Sequence, residues 1–197
     1  LDKHVKNLQS FGQTVVIAFN KFATDTDEEI EVLRKHCEEM GCGFAVNSAF
    51  AEGGNGAIEL ANLVVKTIDE RPSAPLYFAY DDNDTIEEKI EKVAFNLYGA
   101  GSVTLSDSAK AMIEEIKKLG AEKFPICIAK TQYSFSTDAK AYGPTEGFEL
   151  HARDITVNMG AEMIVVIAGP IMRMPGLPKS PQAERIDVVN GEITGLS

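Results

Sequence analysis

The segment VVIAFNKF, residues 15–22, contains the clearest strand pattern in this sequence. Its first five residues are apolar and mostly β-branched, which is typical of a strand covered on both faces of a sheet. In an open parallel sheet, ligands bind beyond the carboxyl ends of the strands. We therefore predict that this segment is a buried strand, and that it delivers Asn20, Lys21 and Phe22 to a ligand crevice in a soluble α/β protein.

A helix, a second strand and a second helix follow this segment. Thr26 and Glu29 have the spacing of a capping box, which predicts a helix start. The strand Phe44–Ser48 comes next, and then a glycine-rich turn, Glu52–Gly56, and a helix over Ala57–Asp69. The order strand, helix, strand, helix predicts a parallel sheet with right-handed crossovers.

The second part of the sequence continues the same pattern. Thr85 with Glu88, and Ser106 or Asp107, mark the starts of two further helices. Two more apolar runs and an Asn-Gly turn predict the strands Ile126–Ala129 and Met163–Ala168 and a hairpin over Ile186–Thr194. We therefore predict an α/β fold with a mostly parallel sheet, flanking helices and a C-terminal β-hairpin.

A proline-containing stretch, residues 71–75, marks a candidate boundary. It predicts an α/β segment 1–72, which carries both candidate site aromatics, and an α/β segment 73–197, which carries the C-terminal loop and the hairpin. One continuous domain is the alternative.

Composition sets expectations about partners and location. The net charge of −11 disfavours nucleic-acid partners, because phosphate backbones are repelled by an acidic surface. The longest apolar runs are too short to span a bilayer, and no secretory leader is visible. Cys37, Cys42 and Cys127 lack zinc-site spacing, and we expect them to be reduced and mostly buried, which indicates a cytoplasmic protein.

Two aromatic residues, Phe22 and Phe50, are predicted to stand at strand ends. Such a pair could flank a flat heteroaromatic ligand, while core or lid aromatics are the alternative interpretation. The stretch Gly53–Gly56 precedes a helix and could bind an anion or form a tight packing turn. His151 precedes Arg153 and Asp154, for which an ion pair is the simpler interpretation.

Two nucleotide-binding patterns are absent from the sequence or incomplete in it. The P-loop pattern of glycine, four residues, glycine, lysine and serine or threonine occurs nowhere in the chain. Asn20 and Lys21 are similar to the guanine-binding motif of GTPases, but that motif needs an aspartate where this chain has Ala23. A guanine site is therefore disfavoured.

Several motifs in order resemble the C-terminal region of formate–tetrahydrofolate ligase, also called 10-formyltetrahydrofolate synthetase. They cover nearly the whole chain: VVIAFNKFATDT (15–26), AEGGNG (51–56), KVAFNLYGA (92–100), PICIAKTQYSFS (125–136), GFELHARD (147–154) and MPGLPK (174–179). The resemblance implies an ATP-dependent condensation of formate with tetrahydrofolate through formyl phosphate, which yields 10-formyltetrahydrofolate.

The resemblance also implies which residues bind the substrate. Phe22 and Phe50 match the two aromatics that enclose the folate, and Asn20, Lys21 and Ala23 lie beside the first of them. The family usually has tryptophan at position 50 and proline at position 23. The smaller ring of Phe50 and the freer backbone at Ala23 are therefore expected to change the affinity for folate. Met174, Pro175, Gly176 and Leu177 match a loop near the nucleotide.

Cofactors and partners follow from the same resemblance. Tetrahydrofolate is the substrate, whereas ATP and Mg²⁺ belong to the complete enzyme, and no tightly bound cofactor, catalytic residue or metal ligand is expected in this chain. Because the P-loop is absent, the expected partner is an N-terminal P-loop half, with a homo-oligomer as a further expectation. The alternative is a non-catalytic binding or assembly module that keeps the fold.

Overall fold

The computed structural model of the chain describes residues 1–171 and 179–195. Its first elements are helix α1 (Asp2–Ser10), strand β1 (Val16–Asn20), helix α2 (Asp27–Glu39) and strand β2 (Gly43–Asn47). The two strands pair in parallel, with Val16 opposite Gly43 and Asn20 opposite Asn47. The capping box of Thr26 and Glu29 is present at the start of α2. The predicted strand, helix, strand order is therefore confirmed.

Strand β1 is less buried than its sequence predicts. One side of the small sheet packs against α1 and α2, where Val5, Val15 and Ile30 share a hydrophobic cluster. However, Ala18 and Asn20 are exposed, so the prediction of a strand covered on both faces is wrong for these two residues. The physical reason is that Ile17 and Phe19 pack against the hydrophobic cluster, so the alternating side chains of Ala18 and Asn20 point to the opposite face, where they stay accessible to solvent.

The glycine-rich segment after β2 is helical rather than an open turn. Helix α3 (Ala49–Glu52) leads into a 3₁₀ turn (Gly53–Ala57) and then into helix α4 (Ile58–Glu70). Helix α4 covers part of the sheet, because a Cβ atom at Gly43 would lie 3.4 Å from the side chain of Leu63. Its other side, which includes Val65 and Ile68, is exposed.

A second sheet has four strands in the order β3-β5-β6-β4. Its elements in chain order are helix α5 (Ile86–Val93), a π-helical turn (Ala94–Tyr98), strand β3 (Ser102–Leu105), helix α6 (Asp107–Lys118), and strands β4 (Ile126–Ala129), β5 (Glu149–Asn158) and β6 (Met163–Ala168). Strand β5 is parallel to β3 and antiparallel to β6, whereas β4 is parallel to β6. The sheet is thus mostly parallel, as predicted.

The ion pair proposed for Arg153 and Asp154 is wrong. The two residues are neighbours in β5, where the pairing with β6 shifts register between Ala152 and Asp154. Arg153 donates instead to the carbonyl of Ile171 at 3.2 Å, and Asp154 accepts from the hydroxyl of Ser108 at 3.2 Å.

The core of the second sheet contains one buried charge. Lys89 on α5 is fully buried and donates to the carbonyls of Glu122 and Phe124, at 3.0 and 3.3 Å. Burial lowers the pKa of Lys89, because desolvation penalises its charged form. The lysine therefore joins α5 to the turn before β4.

The remaining local predictions have mixed outcomes. The capping box of Thr85 and Glu88 and the cap by Ser106 are present. Strands β7 (Asp187–Val189) and β8 (Glu192–Thr194) form the predicted hairpin. Cys37 and Cys42 are buried, but Cys127 is exposed, so the expectation of burial is wrong for Cys127. The division into segments 1–72 and 73–197 stays a prediction.

None of the helices in residues 1–171 and 179–195 combines the length and apolar character needed to cross a membrane.

Candidate functional site

The candidate site lies at the carboxyl ends of β1 and β2. Asn20 and Asn47 end the two strands side by side, and the amide of Asn47 donates to the side-chain oxygen of Asn20 at 2.8 Å. One residue later, the backbone N–H of Lys21 donates to the carbonyl of Asn47 at 3.0 Å. These bonds join the two strand ends, so the loops that leave them start from a common, ordered edge.

The loop after β1 presents Phe22 to solvent. The backbone N–H of Phe22 donates to the carboxylate of Asp25 at 2.7 Å, and the N–H of Asp25 donates back to the carbonyl of Phe22 at 3.1 Å. This reciprocal pair closes a tight turn in which Ala23 is exposed. Lys21 extends to Asp27 at 3.3 Å. Phe22 is 60% exposed.

The loop after β2 presents Phe50. The backbone N–H of Ala49 donates to the side-chain oxygen of Asn47 at 3.2 Å, and the N–H of Ser48 donates to the carbonyl of Gly56 at 3.0 Å. These bonds anchor the short helix α3, on which Phe50 is 92% exposed.

Close packing of the backbone holds this second loop in place. A Cβ atom added at Gly56 would lie 2.5 Å from the carbonyl carbon of Ser48 and 2.8 Å from the backbone nitrogen of Ala49. Only glycine allows two backbone segments to approach so closely. The glycine-rich segment therefore fits the packing-turn interpretation, and it supports the two residues that precede Phe50.

Phe22 and Phe50 are both exposed to solvent. Their exposure excludes the interpretation that they are core aromatics, and in the described part of the chain neither ring is paired with another aromatic side chain. Two exposed rings at the ends of adjacent strands can contact a flat ligand through stacking, which contributes about 0.5–1.5 kcal/mol per ring pair beyond area burial. The arrangement can thus bind an aromatic ring system.

One titratable group near this site, Glu29, supports the start of α2. Hydrogen bonds from the backbone N–H and then the hydroxyl of Thr26 lower the pKa of Glu29, which keeps the capping carboxylate charged. Within residues 1–171 and 179–195, no three His, Cys, Asp or Glu side chains are grouped so that they could hold a metal ion.

The other predicted ligand loop cannot be compared with the structure. Met174, Pro175, Gly176 and Leu177, predicted to lie near a nucleotide, fall outside the described residues. Their role stays a prediction.

Sequence patterns assigned no chemistry to Tyr98 or Lys130, which the structure brings together. The ammonium nitrogen of Lys130 lies 4.5 Å from the centroid of the Tyr98 ring. The position of Lys130 directly after the apolar strand β4 is a usable signal, because Lys21 stands in the same relation to β1. No local pattern indicated Tyr98 as its partner.

The family model and the similar curated proteins carry the same family name. The model of the family described as formate–tetrahydrofolate ligase matches residues 1–197. Similar curated proteins with that name come from Bacteroides fragilis, 64% identical over 197 residues, Porphyromonas gingivalis, 55% identical over 197 residues, and Campylobacter curvus, 48% identical over 200 residues. Each comparison covers 100% of this chain but only 36% of the relative, so the chain spans about a third of the length of these proteins.

Proposed function

This chain belongs to the formate–tetrahydrofolate ligase family, and from that premise we propose that it is the folate-binding, C-terminal portion of an ATP-dependent ligase. In this proposal the complete ligase joins formate to tetrahydrofolate through formyl phosphate and releases 10-formyltetrahydrofolate. Phe22 and Phe50 enclose the pterin ring, and Asn20, Lys21 and Ala23 line the same edge.

One observation carries the folate assignment. The exposed rings of Phe22 and Phe50 follow the ends of two hydrogen-bonded parallel strands, and neither ring is paired with another aromatic in the described chain. Two exposed aromatic side chains at neighbouring strand ends form an apolar surface that a ligand or partner can cover. A pterin is flat and aromatic, so it fits between two such rings.

Phosphoryl transfer is assigned to the remainder of the ligase. Such chemistry requires phosphate-binding groups and Mg²⁺ to position and neutralise the transferred group. The P-loop pattern does not occur in this sequence. We therefore expect the isolated chain to bind tetrahydrofolate without forming formyl phosphate, with ATP and Mg²⁺ bound by the part of the relatives that this chain does not span.

A reconstitution experiment tests this proposal. The chain is mixed with a separately expressed P-loop portion of a relative, and formate-dependent formation of 10-formyltetrahydrofolate is measured. We expect turnover only in the mixture. Formate-dependent ATP turnover by the chain alone would contradict the proposal, whereas association without turnover or folate binding would favour a non-catalytic assembly module.

The exposed face of α4 supports a partner of this kind. Ile58, Val65 and Ile68 lie at helical spacing on that helix and are 54%, 59% and 63% exposed. The neighbouring strand β1 has only β2 as a paired strand in the described part of the chain. An apolar helix face beside an unpaired strand edge suits further α/β structure from the same ligase.

Charges on this face are expected to block that association. In the double variant Val65→Glu, Ile68→Glu, we expect the affinity for the P-loop portion to fall by about tenfold or more, because two carboxylates would become buried without partners. Both positions are exposed, so the chain itself should stay folded. The measurement is the dissociation constant of the two portions by sedimentation or calorimetry.

The matched control is Lys66→Glu, at a side chain on the same helix that is 66% exposed. This charge reversal should leave the association within about twofold, as expected for an exposed surface charge. Equal affinities for the double variant and the control would exclude this face as the contact. If the double variant loses self-association but still binds the P-loop portion, this face contacts a second copy of the chain.

A further inference from the structure

A second cavity lies beyond the carboxyl end of β4. It has a volume of about 610 Å³ and is bounded by the first turn of α1, the segment that follows β4, and Gly143 with Pro144. The ring of His4 on α1 lies 5.0 Å from the ring of Phe135. This cavity stands at the end of a different strand from those that carry Phe22 and Phe50, so it is separate from the proposed folate slot.

Lys130 supplies the charge at this cavity. Its ammonium group donates to the backbone carbonyls of Thr131 and Ser134 and lies over the ring of Tyr98. Within the described residues, no carboxylate forms an ion pair with it. An ammonium group has three donors and a full positive charge. Two carbonyls occupy two of the donors, but they do not neutralise the charge.

Tyr98 reaches the cavity from an unusual backbone element. It ends the π-helical turn Ala94–Tyr98, whose carbonyl at Leu97 accepts a 2.9 Å hydrogen bond from Asn7 on α1. Short π-helical turns are rare and occur often at functional sites. Burial raises the pKa of Tyr98 and lowers the pKa of Lys130. Both shifts have desolvation as their main cause, because the two groups are partly withdrawn from water at this cavity.

The charge balance of the cavity differs from that of the whole chain. The chain has a net charge of −11, but among the described residues the cavity is lined by two lysines, Lys3 and Lys130, and a single carboxylate, Asp2. Asp2 already contacts the imidazole of His36 at 2.8 Å. A concave, locally positive site on an acidic protein attracts anions, because the low-dielectric walls focus the field.

From these observations we propose that this cavity binds the oxyanion of a small-molecule ligand, a phosphate or carboxylate group, with Lys130 as its counter-ion. The rings of Tyr133 and Phe135 line the same cavity and contact the apolar part of the ligand. The proposal does not depend on the folate slot, because it involves different strand ends and different residues.

Inorganic pyrophosphate is the first probe. It is titrated into the 197-residue chain while backbone amide resonances are followed by NMR. We expect saturable shifts that are concentrated at residues 130–135, and we expect Lys130→Met to weaken binding by about tenfold or more, because a charge-assisted contact is lost. Lys3→Met should weaken it by about two- to threefold, because Lys3 acts at longer range. The matched control is Lys66→Met on α4, which removes the same charge at a side chain that does not line the cavity and should change nothing.

Lys130→Met could weaken pyrophosphate binding by disturbing the fold, and this effect can be measured separately from the loss of the charge. Lys130 also holds the loop after β4, so Lys130→Met is compared with native chain by circular dichroism and thermal unfolding. If Lys130→Met unfolds, the proposal is tested by the pyrophosphate affinities of Lys3→Met and Lys66→Met. Only Lys3→Met should then bind pyrophosphate more weakly than the native chain. Pyrophosphate shifts that are absent, or that respond equally to all three substitutions, would overturn the proposal.

Two further titrations distinguish the source of the oxyanion. ATP presents phosphates, and N-(4-aminobenzoyl)-glutamate presents carboxylates. Tighter binding of ATP, lost in Lys130→Met, identifies the phosphate class, and tighter binding of the glutamate compound identifies the carboxylate class. If pyrophosphate, ATP and N-(4-aminobenzoyl)-glutamate all fail to bind, the oxyanion site is excluded. That outcome would not contradict the proposed binding of tetrahydrofolate at Phe22 and Phe50.

Discussion

Replacing both Phe22 and Phe50 with alanine is expected to weaken tetrahydrofolate binding to this chain by about 100-fold. Each ring is expected to contribute about 1–1.5 kcal/mol through stacking and burial, and every 1.4 kcal/mol changes an affinity tenfold. Both rings are exposed in the unliganded chain, so their removal should not destabilise the fold. Isothermal calorimetry with tetrahydrofolate measures the effect directly.

Two further variants sharpen this test. Phe78 is 77% exposed and lies outside the candidate slot, so Phe78→Ala should leave folate binding within about twofold, as expected for a surface substitution. Phe50→Trp should strengthen binding by about two- to fivefold, because a larger ring face covers more of the pterin. Native affinity in the double alanine variant would exclude the two rings as the folate site.

Gly56→Ala is expected to destabilise the loop that carries Phe50. A Cβ atom at this position would lie 2.5 Å from the carbonyl carbon of Ser48, and backbone atoms cannot move away as a flexible side chain can. Overpacking of this kind costs about 1–3 kcal/mol, which corresponds to about 2–10 °C in the melting temperature of a chain of this size. We expect folate affinity to fall as well, because Phe50 lies on the displaced segment.

The matched control for this variant is Gly54→Ala in the same loop. A Cβ atom at Gly54 would meet no heavy atom within 4 Å, and it would also reduce the freedom of the unfolded chain. The melting temperature of Gly54→Ala should therefore be unchanged or slightly higher. Equal melting temperatures and equal folate affinities for the two variants would show that contact with Ser48 does not hold the loop.

The strands that were predicted correctly have strong local signals. The apolar runs of β1, β4 and β6 could be identified because their side chains are mostly apolar along the whole strand. Strand β5 was missed because it mixes charged residues such as Glu149 and Arg153 with buried ones such as Leu150. Its extended conformation depends on pairing with β3 and β6 on either side. The sequence of β5 alone does not indicate which strands pair with it.

The candidate site could be predicted in part for the same reason. Asn20, Lys21 and Phe22 directly follow a recognisable strand, so their position at a sheet edge could be expected from their sequence alone. Phe50 lies near the end of the next strand and could be expected there too. The hydrogen bond between Asn20 and Asn47, which joins the two strand ends, depends on the register of the pairing.

Local sequence was sufficient to establish the α/β class, the helix starts and the strand-end positions of the two phenylalanines. These features depend on side-chain periodicity and on contacts between residues three or four positions apart. The incomplete burial of β1, the burial of Lys89 and the meeting of Tyr98 with Lys130 became known only from the packed chain. Burial and charge pairing depend on which distant segments fold against a residue, and no local pattern contains that information.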